Sequence, residues 1–171
     1  MRGFLLDTNV ISELRRLRPD PVVIAFVETQ PEDSLFVSEV TFAEIRFGLE
    51  QVTDPERRAS LATWLNHTLR PLFAGRTLPL MEDTILRWRL ALEAGRRRGH
   101  TFGQLDLFIA AAAAEQDLIV VSRDITHFVA ASVPVLDPWT QRFVSAAGRE
   151  HVVANLDALD VLARLTAENS R

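Results

Sequence analysis

The sequence has no cysteine and no lysine; all 19 of its basic residues are arginine. Without thiols there is no cysteine nucleophile, no disulfide framework and no cysteine-zinc site. Without an amine that can shed its proton, Schiff-base chemistry is excluded, because a guanidinium stays charged. The phosphate loop of nucleotide-triphosphate enzymes is excluded too, since it needs a lysine on the phosphates. A GC-rich genome accounts for an all-arginine set, and the chemical consequence holds whatever its origin. Gly-x-Ser-x-Gly, Gly-x-Gly-x-x-Gly and His-Glu-x-x-His are all missing. His67, His100, His127 and His151 fall at no ligand spacing and read as surface or satisfied polar residues. No apolar run reaches the roughly 18 residues of a membrane span. No secretory signal opens the chain, which starts Met1-Arg2-Gly3 and runs directly into Phe4-Leu5-Leu6, so a cytoplasmic location is expected. A net charge of −4 and a pI near 5.6 exclude a generally basic nucleic-acid coat, and leave only a local arginine face for a polyanion.

What is present is a globular composition. The 171 residues are 47% apolar and 25% charged, enough for about one domain with its own core. Short apolar runs alternate with helical spacing. Phe4–Leu6, Ser34–Ser38, Thr77–Leu80, Leu118–Val121 and Val133–Leu136 read as strands; the fourth is continuous and apolar, as a strand covered on both faces should be. Helices are expected over 10–16, 22–28, 41–51, 55–69, 82–98 and 106–116, the last Ala-rich and suited to close packing on a sheet. This alternation predicts an α/β domain of three layers, with a mostly parallel sheet flanked by helices. The core domain is expected to span 1–139. Residues 140–171 show no strand signal, and Val152, Leu156, Leu159 and Leu162 or Ala163 predict one amphipathic helix as a C-terminal extension.

In an open α/β sheet, ligands bind outside the carboxyl ends of the strands. Four acids belong there. Asp7 follows the first strand, Asp124 lies just past Val121, Asp106 opens the Ala-rich helix, and Glu44 lies in the first turn of the helix after Ser34–Ser38. Each also has a plain structural use. Asp7, Asp106 and Asp124 suit helix N-termini, and Thr41-Phe42-Ala43-Glu44 fits a capping box. Taken jointly, four close carboxylates repel and raise one another's pKa unless a cation lies among them. Oxygen ligands without His or Cys suit Mg²⁺ or Mn²⁺, which activates water and stabilises a phosphate under attack.

Leu5-Leu6-Asp7-Thr8-Asn9-Val10-Ile11-Ser12-Glu13 resembles the opening of a PIN domain, nearest the VapC and FitB branch of toxin–antitoxin ribonucleases. Further stretches agree in order: Ser38–Gly48 around Glu44, Pro71–Arg76, Leu105–Ala111 around Asp106, Val121-Ser122-Arg123-Asp124, and Val135–Trp139. The resemblance covers 1–139. Carried over by position, its acidic quartet falls on Asp7, Glu44, Asp106 and Asp124, with Thr8, Asn9 and Ser122 as auxiliary polar groups. It implies a Mg²⁺- or Mn²⁺-dependent endoribonuclease, the toxin of a type II pair, in which Asp7, Asp106, Asp124 and Glu44 hold the metal and a metal-activated water hydrolyses RNA. It also implies a VapB- or FitA-type antitoxin, a homodimer and higher assembly on operator DNA, with no membrane partner. The tail has no counterpart in this resemblance.

Aspartyl-nucleophile phosphatases and receiver domains also place acids at strand ends, but both need a lysine. A PIN-fold binding module, acting within an antitoxin–DNA complex with little turnover, is the main alternative, and a dimeric structural protein using the tail helix is a third reading. An acidic site must still attract RNA, so arginines are needed nearby. Residues 86–100 hold five Arg against one Glu, making Arg96, Arg97 and Arg98 candidate RNA contacts. Arg123 joins them, and Arg15, Arg16, Arg18 and Arg46 could add to the strip. The apolar residues of 22–27 and of the helices across 41–69 could form an antitoxin groove, or equally the core.

Overall fold

A computed structural model of the chain describes residues 2–153. The elements run β1 (Gly3–Leu6), α1 (Thr8–Leu14), α2 (Pro21–Thr29), a 3-10 turn (Glu32–Ser34), β2 (Leu35–Ser38), α3 (Glu39–Glu50) and α4 (Pro55–Trp64). A π-helical turn (Leu65–Leu69) then leads into α5 (Arg70–Leu72), followed by β3 (Thr77–Leu78), α6 (Glu82–Arg97) and α7 (Gln104–Gln116). The last elements are β4 (Leu118–Val121), α8 (Ile125–Ala130), β5 (Val135–Asp137), β6 (Arg142–Val144) and β7 (Glu150–Val152). Asp20 and Asp54 start α2 and α4 in the same way. Each places a proline in the first turn, and its carboxylate accepts a free backbone N–H.

The side chains of the central strands alternate between two cores. Phe4, Leu6, Ile119 and Val121 face one side, with Val10 and Ile11 of α1 and Val23 and Phe26 of α2. Leu5, Leu118 and Val120 face the other, against Leu107, Ile109 and Ala113 of α7 and Phe128 of α8. This period of two, with both faces covered, is what continuous apolar strands require. The result is the three-layer α/β plan expected. Val23 and Phe26 lie in this core, so α2 spends them there rather than on a groove.

The sheet order is β3-β2-β1-β4-β5-β6-β7. The first five strands pair in parallel, and β6 and β7 add antiparallel. From β1 the chain winds outward through β2 to β3, then crosses to β4 on the other side of β1. The order therefore reverses between β1 and β4, and the crevice at their carboxyl ends is the place where such sheets bind ligands.

The segment after Trp139 corrects the expectation of no strands. β6 lies antiparallel on β5, with Val144 opposite Val135, and Phe143 is fully buried. β7 turns back on β6 after Gly148 (φ 79°). β6 buries Phe143 and Val144 on opposite faces and β7 buries no residue, so neither three-residue strand shows an alternation to read. Val152, expected to open an amphipathic helix, lies in β7 and is exposed; the rest of that expected helix lies outside the described residues.

α6 packs closely on α7 at one point and on the loop before α7 at another. Trp88 stacks on Phe108 with ring centroids 4.5 Å apart, and Phe102 presses on Gly95, where an added Cβ would lie 2.3 Å from the ring. At Gly48 in α3 nothing lies within 4 Å of an added Cβ. Alanine in a helix interior is worth about 0.8–1 kcal/mol over glycine, whereas overpacking costs about 1–3 kcal/mol. Gly48→Ala is therefore expected to raise the thermal midpoint and Gly95→Ala to lower it, each by roughly 2–4 °C in circular-dichroism melts. Equal shifts of one sign would contradict the contact with Phe102.

Candidate active site

Asp7 is the first residue past β1, and its position is fixed before its side chain is considered. Its N–H donates to the Val121 carbonyl at 3.0 Å, extending the pairing of β1 with β4 by one bond. The carboxylate then turns back over the start of α1, where Oδ1 accepts the Thr8 N–H at 2.7 Å. Oδ2 accepts the Asn9 side-chain amide at 2.8 Å and the Ser122 hydroxyl at 2.6 Å. Ser122 is completely buried, and its oxygen also accepts the Asn9 amide at 2.9 Å and the Asp124 N–H at 3.0 Å. Asn9 Oδ1 in turn accepts the Arg123 N–H at 3.3 Å. Asn9 and Ser122 thus tie the turn after β1 to the turn after β4.

The other acids come from separate elements. Glu44 accepts a hydrogen bond from the Thr8 hydroxyl. The capping-box reading of Thr41–Glu44 does not hold. Ser38 is the N-cap, its hydroxyl accepting the Thr41 N–H at 3.2 Å, and α3 begins at Glu39. Glu44 consequently lies beyond the first turn, within reach of Thr8. Asp106 stands in the first turn of α7, beside Gly103 at the N-cap; a Cβ on residue 103 would come within 2.5 Å of Asp106 Oδ2. Asp124 occupies the N-cap position of α8 but makes no side-chain cap bond. A cleft of about 420 Å³ is lined by all four acids together with Thr8 and Asn9. Arg16 and Arg123 line it as well, whereas Arg96, Arg97 and Arg98 are exposed at the end of α6 and are not part of its lining.

Burial pushes the Asp7 carboxyl up to about 6, against the hydrogen bonds from Ser122 and Thr8, with Glu44 and Asp106 adding like-charge repulsion. Glu44 is raised as well, first by burial and then by Asp106, while the Thr8 hydroxyl acts in the opposite sense. Among the described residues no three acids or histidines form a ready-made ligand cluster. The donor set nevertheless fits a hard divalent cation. It is all oxygen, it is oriented at Asp7 by three donors, and its mutual repulsion is what a cation would relieve.

Two further residues belong to this site. His127, read as an ordinary polar residue, places Nε2 3.6 Å from Asp124 and 4.0 Å from Asp106, and its buried Nδ1 has no hydrogen-bond partner. Its spacing of three from Asp124 at a helix start was the available signal. Glu13 is buried beside the cleft, ion-paired to Arg16 and Arg123. Its only sequence signal was the three-residue spacing to Arg16.

The profile of the PIN domain matches residues 4–133. The chain is 36% identical over 135 residues to VapC ribonuclease Y4jK of Sinorhizobium fredii, covering 79% of this chain and 96% of that one. It is 35% identical over 135 residues to toxin FitB of Neisseria gonorrhoeae, covering 79% and 97%. The solved structure of FitAB bound to an IR36 DNA fragment superposes with a TM-score of 0.74 at 33% identity, over 80% of this chain and 95% of that one. The chain belongs to the PIN domain family. No helix among the described residues is long and apolar enough to cross a membrane.

A carboxyl raised from 3.8 to about 6 is favoured protonated in the folded protein. Without metal, its contribution to stability is full below the ordinary value and is lost as the pH rises through about 6. A cation competes with that proton, so the rise in thermal midpoint given by Mn²⁺ over EDTA should be larger near pH 7.5 than near pH 5, roughly in step with Asp7 ionisation. It should largely disappear in Asp7→Asn. A pH-independent shift, or one retained in the variant, would contradict this assignment.

Proposed function

We propose that this protein is a divalent-metal-dependent endoribonuclease, the toxin of a type II toxin–antitoxin pair, which hydrolyses RNA phosphodiesters. One observation carries the reading: Asp7, Glu44, Asp106 and Asp124, from four separate elements, line one cleft at the switch point of a PIN-domain sheet. Relatives named as a VapC ribonuclease and as toxin FitB align over 79% of the chain and support it.

Mg²⁺ or Mn²⁺ is the cofactor the oxygen donors suit, and Asp7, Asp106 and Asp124, with Glu44, are the residues that would hold it. When bound, such an ion supplies Lewis-acid polarisation of the phosphodiester and a more acidic water. The chain's own part is orientation. Ser122, Asn9 and the Thr8 N–H fix both oxygens of Asp7, so little freedom is lost when a ligand binds. Thr8 holds Glu44 toward the same cleft, and Gly103 leaves room for the Asp106 carboxylate.

A second cleft, of about 650 Å³, shares Thr8, Ser12, Arg16 and Glu44 with the acidic one and is further lined by Leu17, Ile45, Leu49, Leu61 and Trp64. An apolar groove leading to the acids suits a helix of a VapB- or FitA-type antitoxin, placed to block the site. The structure of FitAB bound to a DNA fragment supports an antitoxin partner and DNA binding by the pair; a toxin homodimer on operator DNA is part of the same proposal. A cytoplasmic location is consistent with such partners.

The test is cleavage of labelled RNA by the full chain, freed of any partner, with Mg²⁺ or Mn²⁺. EDTA should abolish cleavage. Asp7→Asn should slow it by about 100-fold or more, the scale of losing one preorganised charged group from an active site. No difference between the two proteins across several structured and unstructured RNAs would overturn the reading and favour a binding module.

A further inference from the structure

The acidic cleft carries a second charged assembly that the carboxylate chemistry does not use. Glu13 of α1 is only 3% exposed, and two arginines lie against it. Its Oε1 accepts the Asp20 N–H at 2.9 Å. Its Oε2 lies 3.0 Å from Arg16 and 3.6 Å from Arg123. The Arg123 guanidinium also lies over Trp139, its central carbon 4.2 Å from the ring centroid. Trp139 is set by the turn after β5, where Asp137 accepts the Trp139 N–H at 2.9 Å and the Thr140 hydroxyl at 2.7 Å. The Asp137-Pro138-Trp139 stretch therefore has a use: it supplies the platform for an arginine at the cleft.

Charge and exposure decide what this assembly is for. A buried carboxylate needs a cationic partner, and one arginine would meet that need. Here two arginines share a single carboxylate, leaving one positive charge in surplus. Arg16 and Arg123 remain 58% and 50% exposed, and both line the cleft with Asp7. A guanidinium has five N–H donors in a fixed fork, and these two contact Glu13 through one terminal nitrogen each. Their orientation is set in advance by Glu13 and Trp139, so binding an oxyanion costs little further ordering. The four site carboxylates repel a polyanion, and a cation among them neutralises only the reacting phosphate. The neighbouring phosphate still needs a partner of its own.

We infer that Arg16 and Arg123, held on Glu13 and against Trp139, form a preassembled clamp for one backbone phosphate of the RNA strand, next to the phosphodiester that is cut. This deepens the ribonuclease reading and rests on it. The clamp binds through charge and geometry rather than through bases, so it serves any single-stranded sequence.

The test uses the full chain freed of partner, in an Asp7→Asn background so that RNA is not consumed. The probe is a fluorescein-labelled, mixed-sequence oligoribonucleotide of about 20 nucleotides, and binding is read by anisotropy across a salt series. Arg16→Ala and Arg123→Ala should each weaken binding about tenfold and lower the salt slope by about 0.7, as expected for one lost contact to a single strand. Arg123→Lys should recover the slope but not the affinity, because an ammonium neither forks nor stacks as a guanidinium does. Arg149→Gln, away from the cleft, should change neither. With Asp7 intact, the Arg16 and Arg123 variants should raise KM about tenfold at little cost in kcat. Parental affinity and slope in folded Arg16→Ala and Arg123→Ala would overturn the clamp, as would an equal loss in Arg149→Gln. Should Arg123→Ala not fold, half-exposed Arg16 and the lysine variant carry the test. A wild-type chain that cleaves RNA while these variants bind like the parent overturns the clamp alone. A wild-type chain that cleaves no RNA, with binding still lost in the variants, overturns the ribonuclease reading and leaves the RNA contact standing.

Discussion

The pairing of β1 with β4 sets everything at the cleft. Leu6 lies opposite Val121, and the bond from the Asp7 N–H to the Val121 carbonyl closes the ladder at its carboxyl end. A slip of one residue would reverse the faces of Phe4, Leu5 and Leu6 and move Asp7 away from Ser122. Register is costly to change here because both faces of both strands are buried, and each large apolar side chain is worth about 1.5–3 kcal/mol. The hydrophobic core therefore fixes where a carboxylate sits. The Ser122 hydroxyl and the Asn9 amide then convert strand register into side-chain aim.

Electrostatic tension follows from that placement. Asp7 is 6% exposed, and both burial and its neighbouring acids favour its protonated form. The fold tolerates this because three donors satisfy the carboxylate, and because a hard cation can balance the charge that they do not. On the same cleft, the pair of arginines on Glu13 supplies fixed positive charge. The cleft thus combines a negative region suited to a metal with a positive edge suited to a phosphate, which is the division of charge that phosphodiester chemistry requires.

Much of this was legible in the residues. Apolar runs such as Leu118–Val121 carry a strong signal because a strand covered on both faces cannot hide its composition. The four acids were legible because strand ends are where open sheets bind ligands, and Asp7, Glu44, Asp106 and Asp124 do line one cleft. Local capping was harder to read. Ser38 rather than Thr41 starts α3, since a hydroxyl can cap from either position and tertiary packing chooses. β6 and β7 show no period in the sequence because β6 is three residues covered on both faces and β7 is three residues with none buried. Glu13 and His127 each had one local signal, a spacing of three to Arg16 and to Asp124, but their contacts with Arg123 and Asp106, and that of Trp139 with Arg123, join segments that only the folded sheet brings together. Ordered resemblance to a family implied roles as metal ligands where spacing alone left caps and ligands equally open.

The most direct measurement of the central claim, that these acids together make a cation site, is anomalous diffraction from crystals of the full chain grown with Mn²⁺. The expected result is a peak in the cleft within about 2–2.3 Å of an Asp7 oxygen and shared with Asp106 or Asp124, as hard-cation coordination requires. A cleft without a peak while Mn²⁺ binds elsewhere on the protein, or a peak that remains in Asp7→Asn, would contradict it.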